Sequence, residues 1–167
     1  MSICHIFNKL PISTLHFNMA KYKRIFLSGH SYYITMVTYK RNLLLVDNIE
    51  LLRERFRESK RYFTYNIDAI VIMPDHIHMI ITPKNVMDYP KIIRAIKYNF
   101  SRHFNMEEEQ SYSRYKRQLK PIWQKRYYEH TIRDEKDYVE ILNYIKYNPV
   151  KHGYIEDVKD WEYSSFT

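Results

Sequence analysis

The sequence predicts an α+β fold: an antiparallel sheet with helices on one face and one further helix near the C-terminal end. Three observations predict it. Strand-like stretches rich in β-branched and aromatic residues alternate with stretches of helical periodicity. The second and third strand-like stretches are separated only by the Pro74-Asp75 turn, which favours a hairpin. A chain of 167 residues suits one compact domain able to bury a real core.

The elements follow in order. Ser31–Tyr39 (SYYITMVTY) reads as a strand because β-branched and aromatic side chains fit a pleated, half-buried surface. Asp47 is placed to cap a helix that carries Ile49, Leu51, Leu52 and Phe56 at helical spacing to about Lys60. Tyr65–Met73 (YNIDAIVIM) and His76–Thr82 (HIHMIIT) are the second and third strands. Pro90 suits the first turn of a helix, which Ile92, Ile93, Ile96, Phe100 and Phe104 continue. Met106–Lys120 is polar and reads as a connection, and Trp123–Arg133 contains a fourth strand. Asp134 caps a last helix with Tyr138, Leu142 and Ile145 as its apolar stripe, and Pro149 is expected to end it. The order β-α-β-β-α-β-α begins with the six elements of a ferredoxin-like split βαβ sandwich, an architecture that does not by itself fix a function.

Composition narrows the function. Only Gly29 and Gly153 are present, where average usage would give roughly 12 glycines. Neither a phosphate-cradling P-loop nor a G-x-G-x-x-G dinucleotide turn can be written, so nucleotide-driven chemistry of those kinds is excluded. The lone Cys4 excludes a disulfide framework and cysteine-based zinc clusters. Lys+Arg minus Asp+Glu is 27 − 19 = +8, and the chain holds 17 Tyr, 8 Phe and 2 Trp. Cations that meet phosphates and rings that stack on bases are the composition of a nucleic-acid binder, although codon bias in an AT-rich genome gives the same excess. The longest purely apolar run, Ala69–Met73, is far below the ~20 residues that span a bilayer, so no membrane role is expected. Met1–Asn18 lacks the pattern of a signal peptide. Residues 1–18 are expected to be an N-terminal extension, not native or disordered, and residues 19–167 a single domain.

Two segments carry the chemistry. In Pro74-Asp75-His76-Ile77-His78, alternate strand residues share a face, so His76 and His78 point one way and Ile77 and Met79 the other. Two imidazoles so placed can share a metal ion; they are also what a pair of surface histidines beside a turn looks like. In Tyr144-Ile145-Lys146-Tyr147-Asn148-Pro149-Val150-Lys151-His152-Gly153, Tyr144 and Asn148 stand four residues apart on one helical face. A phenol could serve there as nucleophile and an amide oxygen as a third metal ligand. Spacing alone leaves Tyr147 competing with Tyr144 for the first role, and a packed aromatic ring competes with both.

Five separated segments together resemble the His-hydrophobic-His (HUH) single-tyrosine transposases, IS200-like enzymes, and most of all their REP-associated branch. They are Val71–His78, Ile122–His130 (IWQKRYYEH), Asp134–Tyr138, Tyr144–Gly153 and Asp160–Phe166 (DWEYSSF), and the similarity runs in order from about Lys23 to Thr167. The resemblance implies the ferredoxin-like fold and an enzyme that cuts and rejoins single-stranded DNA at hairpins or palindromic repeats through a 5′-phosphotyrosine. It assigns the nucleophile to Tyr144, the metal pair to His76 and His78, and the third ligand to Asn148. It suggests Mg²⁺ or Mn²⁺, and imidazole ligands favour Mn²⁺ of the two. A cytoplasmic, nucleoid-associated protein is implied, with homodimer and monomer both open. The alternatives are a non-catalytic nucleic-acid-binding protein on the same fold and a metal-dependent nuclease that uses water. Candidate DNA contacts are Lys21, Lys23, Arg24, Lys40 and Arg41 around the first strand, Arg94, Lys97 and Arg102 on the second helix, the run Arg114, Lys116, Arg117 and Lys120, and Lys151 beside the tyrosine motif. Each of these competes with an ordinary solvated surface charge.

Overall fold

The computed structural model describes residues 26–104 and 122–167. Its strands are β1 (Tyr32–Val37), β2 (Tyr65–Ile72), β3 (His76–Pro83) and β4 (Tyr128–Thr131). Its helices are α1 (Ile49–Tyr62), α2 (Tyr89–His103), α3 (Glu135–Lys146) and the four-residue α4 (Asn148–Lys151). One antiparallel sheet has the order β2-β3-β1-β4. β3 is hydrogen-bonded between β1 and β2, which therefore run in the same direction, so α1 makes the crossover of a split βαβ unit as expected.

Period-two alternation divides the sheet into two chemistries. On one face Tyr32, Ile34, Met36, Ile77, Met79 and Ile81 are buried against Leu52 and Phe56 of α1 and Ile92, Ile93, Ile96 and Phe100 of α2. On the other, Tyr33, Val71, Ala69 and Ile80 pack against Ile145 of α3, with Ile132 and Trp161. The tyrosine-bearing helix thus covers the face opposite α1 and α2. The interior fills both layers with branched and aromatic side chains, each worth about 1.5–3 kcal/mol when fully buried.

β2 carries a bulge that changes which of its residues face each layer. Ile67 pairs with Ile81 and Ala69 with Ile80, leaving Asp68 without a partner position. The extra residue switches the parity of the strand. Tyr65 and Ile67 face α1 and α2 before the bulge, and Ile70 and Ile72 face them after it. The outer edge of β2 is covered by the C-terminal residues. The Ile72 N–H donates to the Tyr163 carbonyl at 2.8 Å, the Ser165 N–H to the Ile70 carbonyl at 3.0 Å, and the Trp161 indole N–H to the Ile72 carbonyl at 3.0 Å. An open edge would be a template for unwanted strand pairing.

Local expectations needed three adjustments. The N-cap of α1 is Asn48 rather than Asp47, and its side-chain amide donates to the Leu44 carbonyl instead of capping. The fourth strand is four residues of the longer stretch expected. Pro149 does not end α3, which stops at Lys146; it lies in the first turn of α4, where its missing N–H costs nothing. Gly153, at φ 73°, then takes the left-handed position just past the helix end.

Candidate active site

The site starts from a clamp between two loops. The Thr38 N–H and hydroxyl both donate to the Asp75 carbonyl at 2.9 Å, and the Leu44 and Leu45 N–H groups both donate to the Pro74 carbonyl at 2.9 Å. The loop after β1 therefore grips the Pro74-Asp75 turn, from which β3 begins with His76. Inside that loop Lys40 (φ 54°) and Arg41 (φ 59°) are consecutive left-handed residues. For residues with a Cβ this conformation costs roughly 1–2 kcal/mol each, and it persists where the surroundings over-determine it.

His76 and His78 project from one face of β3, buried, with ring centroids 4.7 Å apart. Each has its Nδ1 engaged. His76 Nδ1 lies 2.5 Å from Asp75 Oδ1, and Arg41 Nε lies 3.1 Å from the other oxygen of that carboxylate. His78 Nδ1 lies 2.7 Å from the Tyr33 hydroxyl and 2.9 Å from Thr35 Oγ1, because β1 sets Thr35 directly across from His78. With the proton on Nδ1 of each ring, each Nε2 keeps its lone pair, which is the arrangement of imidazoles that ligate a metal.

Tyr144 arrives from the opposite side on α3. Asp134 caps that helix by accepting from the Asp137 N–H at 2.8 Å. Asp137 in turn accepts from His130 Nε2 at 2.8 Å and from the Arg133 N–H at 3.0 Å, so β4 and α3 are tied together. The Tyr144 ring stands edge-on to His78 with centroids 5.2 Å apart, and Lys151 Nζ sits 5.3 Å from the centre of the Tyr144 ring. Asn148 is fully buried, and neither its Oδ1 nor its Nδ2 makes a hydrogen bond of regular geometry. A buried amide without such a bond costs on the order of 1–3 kcal/mol, so its presence asks for a ligand. Among the described residues no set of three His, Cys, Asp or Glu is arranged to hold a metal. Two imidazoles with engaged Nδ1 atoms and a buried amide that makes no regular hydrogen bond fit a divalent ion with open positions for substrate oxygens.

Burial and neighbouring charges set the electrostatics around the histidine pair and Tyr144. Burial, with the charges of His76 and His152, holds His78 well below the usual imidazole range. Burial pushes the Tyr144 phenol up, partly offset by the nearby Asn148 amide and by the Arg41 charge. Burial likewise raises the Asp75 carboxyl, but the His76 hydrogen bond and the His76 and Arg41 charges outweigh it, leaving Asp75 below the ordinary carboxylate value.

Comparison with known proteins decides the family. The model of the family described as "Transposase IS200 like" matches residues 26–148. The chain belongs to that family. It is similar to a Haemophilus influenzae protein that carries the REP-associated tyrosine transposase name, 42% identical over 151 residues, 89% of this chain and 86% of the relative. It is also similar to the Escherichia coli K12 REP-associated tyrosine transposase, 35% identical over 150 residues, 89% of this chain and 83% of the relative. A solved structure of a REP-associated tyrosine transposase bound to a REP hairpin shares 34% identity and a TM-score of 0.73, covering 89% of this chain and 83% of that one. The chain is therefore a tyrosine transposase, an enzyme of DNA cleavage and strand transfer, of the α+β fold expected. Enzymes of this family are in general metal-dependent.

In this transposase the four residues expected at the centre, His76, His78, Tyr144 and Asn148, lie on the same side of the sheet. Tyr144 rather than Tyr147 approaches the histidines; Tyr147 is exposed, with Lys146 Nζ 5.7 Å from its ring. Of the candidate DNA contacts, Arg41 and Lys151 adjoin the centre, and Lys40 lies 5.7 Å over the Tyr39 ring. Lys97 donates to the Gln124 carbonyl at 2.7 Å, on the side of the sheet that α2 covers. Arg94 and Arg102 lie on the same helix. Lys21, Lys23, Arg24, Arg114, Lys116, Arg117 and Lys120 fall outside the described residues. Sequence reasoning missed the roles of Tyr33, Thr35 and Asp75, and of His152, whose ring is 5.5 Å from His76. The Asp75 role had a local signal, a carboxylate next to the first histidine; the β1 residues had none without the register.

Proposed function

We propose that this transposase cuts and rejoins single-stranded DNA through a phosphotyrosine on Tyr144, at hairpins or palindromic repeats. The observation that carries the reading is the approach of the Tyr144 ring to the paired imidazoles His76 and His78, beside the buried amide of Asn148, which makes no hydrogen bond of regular geometry. The hairpin as substrate is supported by the relative whose structure holds a REP hairpin. We place its action in the cytoplasm, at the nucleoid, where its DNA substrate lies; among the described residues no helix is long and apolar enough to cross a membrane.

Tyr144 Oη attacks the scissile phosphorus in line. The bond to the 3′ oxygen breaks, the phenol gives up its proton, and the 3′ oxygen takes one up as it leaves. One phosphodiester replaces another, so the reverse attack rejoins strands with no nucleotide, in keeping with a chain that cannot write a P-loop. A divalent ion, Mg²⁺ or Mn²⁺, held by His76, His78 and Asn148 would polarise the phosphate. The residues that surround Tyr144 set its state: burial keeps the phenol protonated at rest, and Arg41 and Asn148 favour its ionised form as it reacts. Lys151, over the Tyr144 ring, and Lys40 add positive charge for the DNA backbone. Lys23, Arg24, Lys97, Arg114, Lys116, Arg117 and Lys120 complete the proposed DNA-binding set. Residues 19–167 are taken as the working domain and residues 1–18 as an extension to it.

The test is a labelled single-stranded hairpin with unpaired flanks, incubated with the protein and Mn²⁺ and resolved on denaturing gels. A covalent protein–DNA adduct lost in Tyr144→Phe and kept in Tyr147→Phe is the expected result. Cleavage without adduct would instead make the enzyme a nuclease that uses water. Binding without cleavage would make it a non-catalytic DNA-binding protein.

A further inference from the structure

We propose that Arg41 is a catalytic phosphate-binding residue: its terminal guanidinium nitrogens grip a non-bridging oxygen of the scissile phosphate while its Nε stays anchored on Asp75. The inference rests on the strand-transfer reading above and adds to it a residue outside the histidine and tyrosine motifs.

Three observations converge on this side chain. The first is its backbone. Lys40 and Arg41 are both left-handed, without being glycine, in a loop tied to the Pro74-Asp75 turn by four hydrogen bonds, from Thr38 twice and from Leu44 and Leu45. An exposed cation with no task needs no such turn, and strain of this kind concentrates at functional sites. The second is its partner. Asp75 offers one oxygen to Arg41 Nε at 3.1 Å and the other to His76, so a single carboxylate fixes the guanidinium next to the imidazole pair. The third is what remains unused. Among the described residues Arg41 makes no other side-chain hydrogen bond or ion pair, and its side chain is 51% exposed, which leaves its terminal nitrogens without a protein partner. The Arg41 charge reaches the Tyr144 hydroxyl, where it favours the phenolate.

Arginine suits this double duty and lysine does not. The planar guanidinium can spend Nε on a carboxylate and still present a fork to phosphate oxygens, whereas an ammonium is a single point charge. Negative charge accumulates on the non-bridging oxygens as Tyr144 attacks, and a fixed cation there stabilises the transition state more than bound DNA.

The experiment first reads the cleaved sequence from a hairpin with randomised flanks. That oligonucleotide is then made with a normal linkage and with a methylphosphonate at the scissile position, which replaces one charged oxygen with a neutral methyl. Single-turnover adduct formation is followed for wild type, Arg41→Ala and Arg41→Lys, together with DNA affinity and Mn²⁺ affinity by paramagnetic resonance. Both variants should slow adduct formation by about 100-fold on the normal linkage. DNA and Mn²⁺ affinities should stay within about three-fold of wild type, and the wild-type advantage should fall below about ten-fold on the methylphosphonate. An equal defect on both linkages overturns the proposal, as does a loss of Mn²⁺ affinity, which would make Arg41 a support for His76 through Asp75. Undiminished rates in Arg41→Lys overturn this inference alone. Absence of any adduct with the wild-type protein overturns the strand-transfer reading as well.

Discussion

The hydroxyl of Tyr33 lies 2.7 Å from Nδ1 of His78, and the Tyr33 ring stacks on that imidazole with centroids 5.7 Å apart. β1 therefore supports the metal-ligating candidate on its neighbour, and burial keeps the Tyr33 phenol protonated far above ordinary pH. Tyr33→Phe keeps the ring and deletes the contact. Such outer partners are worth about 10–100-fold in metal affinity. Because Thr35 remains 2.9 Å from the same nitrogen, the expected loss of Mn²⁺ affinity is at the lower end, about ten-fold. Mn²⁺ titration checks it, and an unchanged affinity would remove Tyr33 from the site's support.

His76→Ala and His78→Ala should each abolish cleavage of a hairpin substrate while largely sparing its binding. Contacts to phosphates elsewhere on the backbone dominate affinity, whereas the proposed metal acts at one linkage. Gel shift and adduct yield, measured on the same samples, separate the two effects. If both variants cut at the wild-type rate, the ligand assignment is wrong.

Asn148→Leu should show opposite effects on stability and on metal binding. The buried amide has no regular hydrogen bond, so replacing it with an apolar side chain of similar size should raise the stability of the metal-free protein, by up to about 2 kcal/mol. Mn²⁺ affinity should fall in the same variant. Thermal denaturation with and without Mn²⁺ reads both. A variant less stable than wild type without metal would mean that the amide is held by the fold rather than kept for a ligand.

Asp137→Asn should loosen the tie between β4 and the tyrosine helix in a pH-dependent way. Burial alone would raise the Asp137 carboxyl, but its bonds from His130 and Arg133 outweigh burial and leave it below the ordinary value of 3.8. A lowered folded-state pKa contributes stability above 3.8 that disappears as pH falls below it. The gap between wild type and Asp137→Asn should thus be about 1 kcal/mol at neutral pH and close toward pH 3. Melting curves across that range test it, and a gap that persists at the acid end would show that packing rather than charge holds the helix.

How much of this was legible in the sequence follows from how local each signal is. The shared face of His76 and His78 is a property of three consecutive strand residues, and the shared face of Tyr144 and Asn148 is a property of one helical turn; both could be read from spacing. The order of elements could also be read, since each carries its own periodicity. What could not be read is pairing. Tyr33 and Thr35 reach His78 only because β1 lies beside β3 in one register, with Thr35 opposite His78. Arg41 meets Asp75 only because a loop after β1 folds back on the hairpin turn. The placement of the tyrosine helix on the face opposite α1 and α2 is likewise a matter of tertiary packing, invisible to a helical stripe. Pro149 misled because proline forbids continuing a helix but also favours beginning one, and which of the two applies depends on the residues that follow.

The bulge at Asp68 has a consequence for how this chain can change length. In a regular strand, losing one residue near the start would send every later side chain to the wrong layer, exchanging Ala69 and Val71 with Ile70 and Ile72. Here the odd residue separates two stretches of opposite parity, Tyr65 and Ile67 before it and Ile70 and Ile72 after it, that face the same helical core. Loss of Asp68 itself would therefore act as the removal of a spacer, since Ile67 and Ala69 already pair with the adjacent Ile81 and Ile80, and Ala69 and Val71 would stay on the tyrosine-helix face.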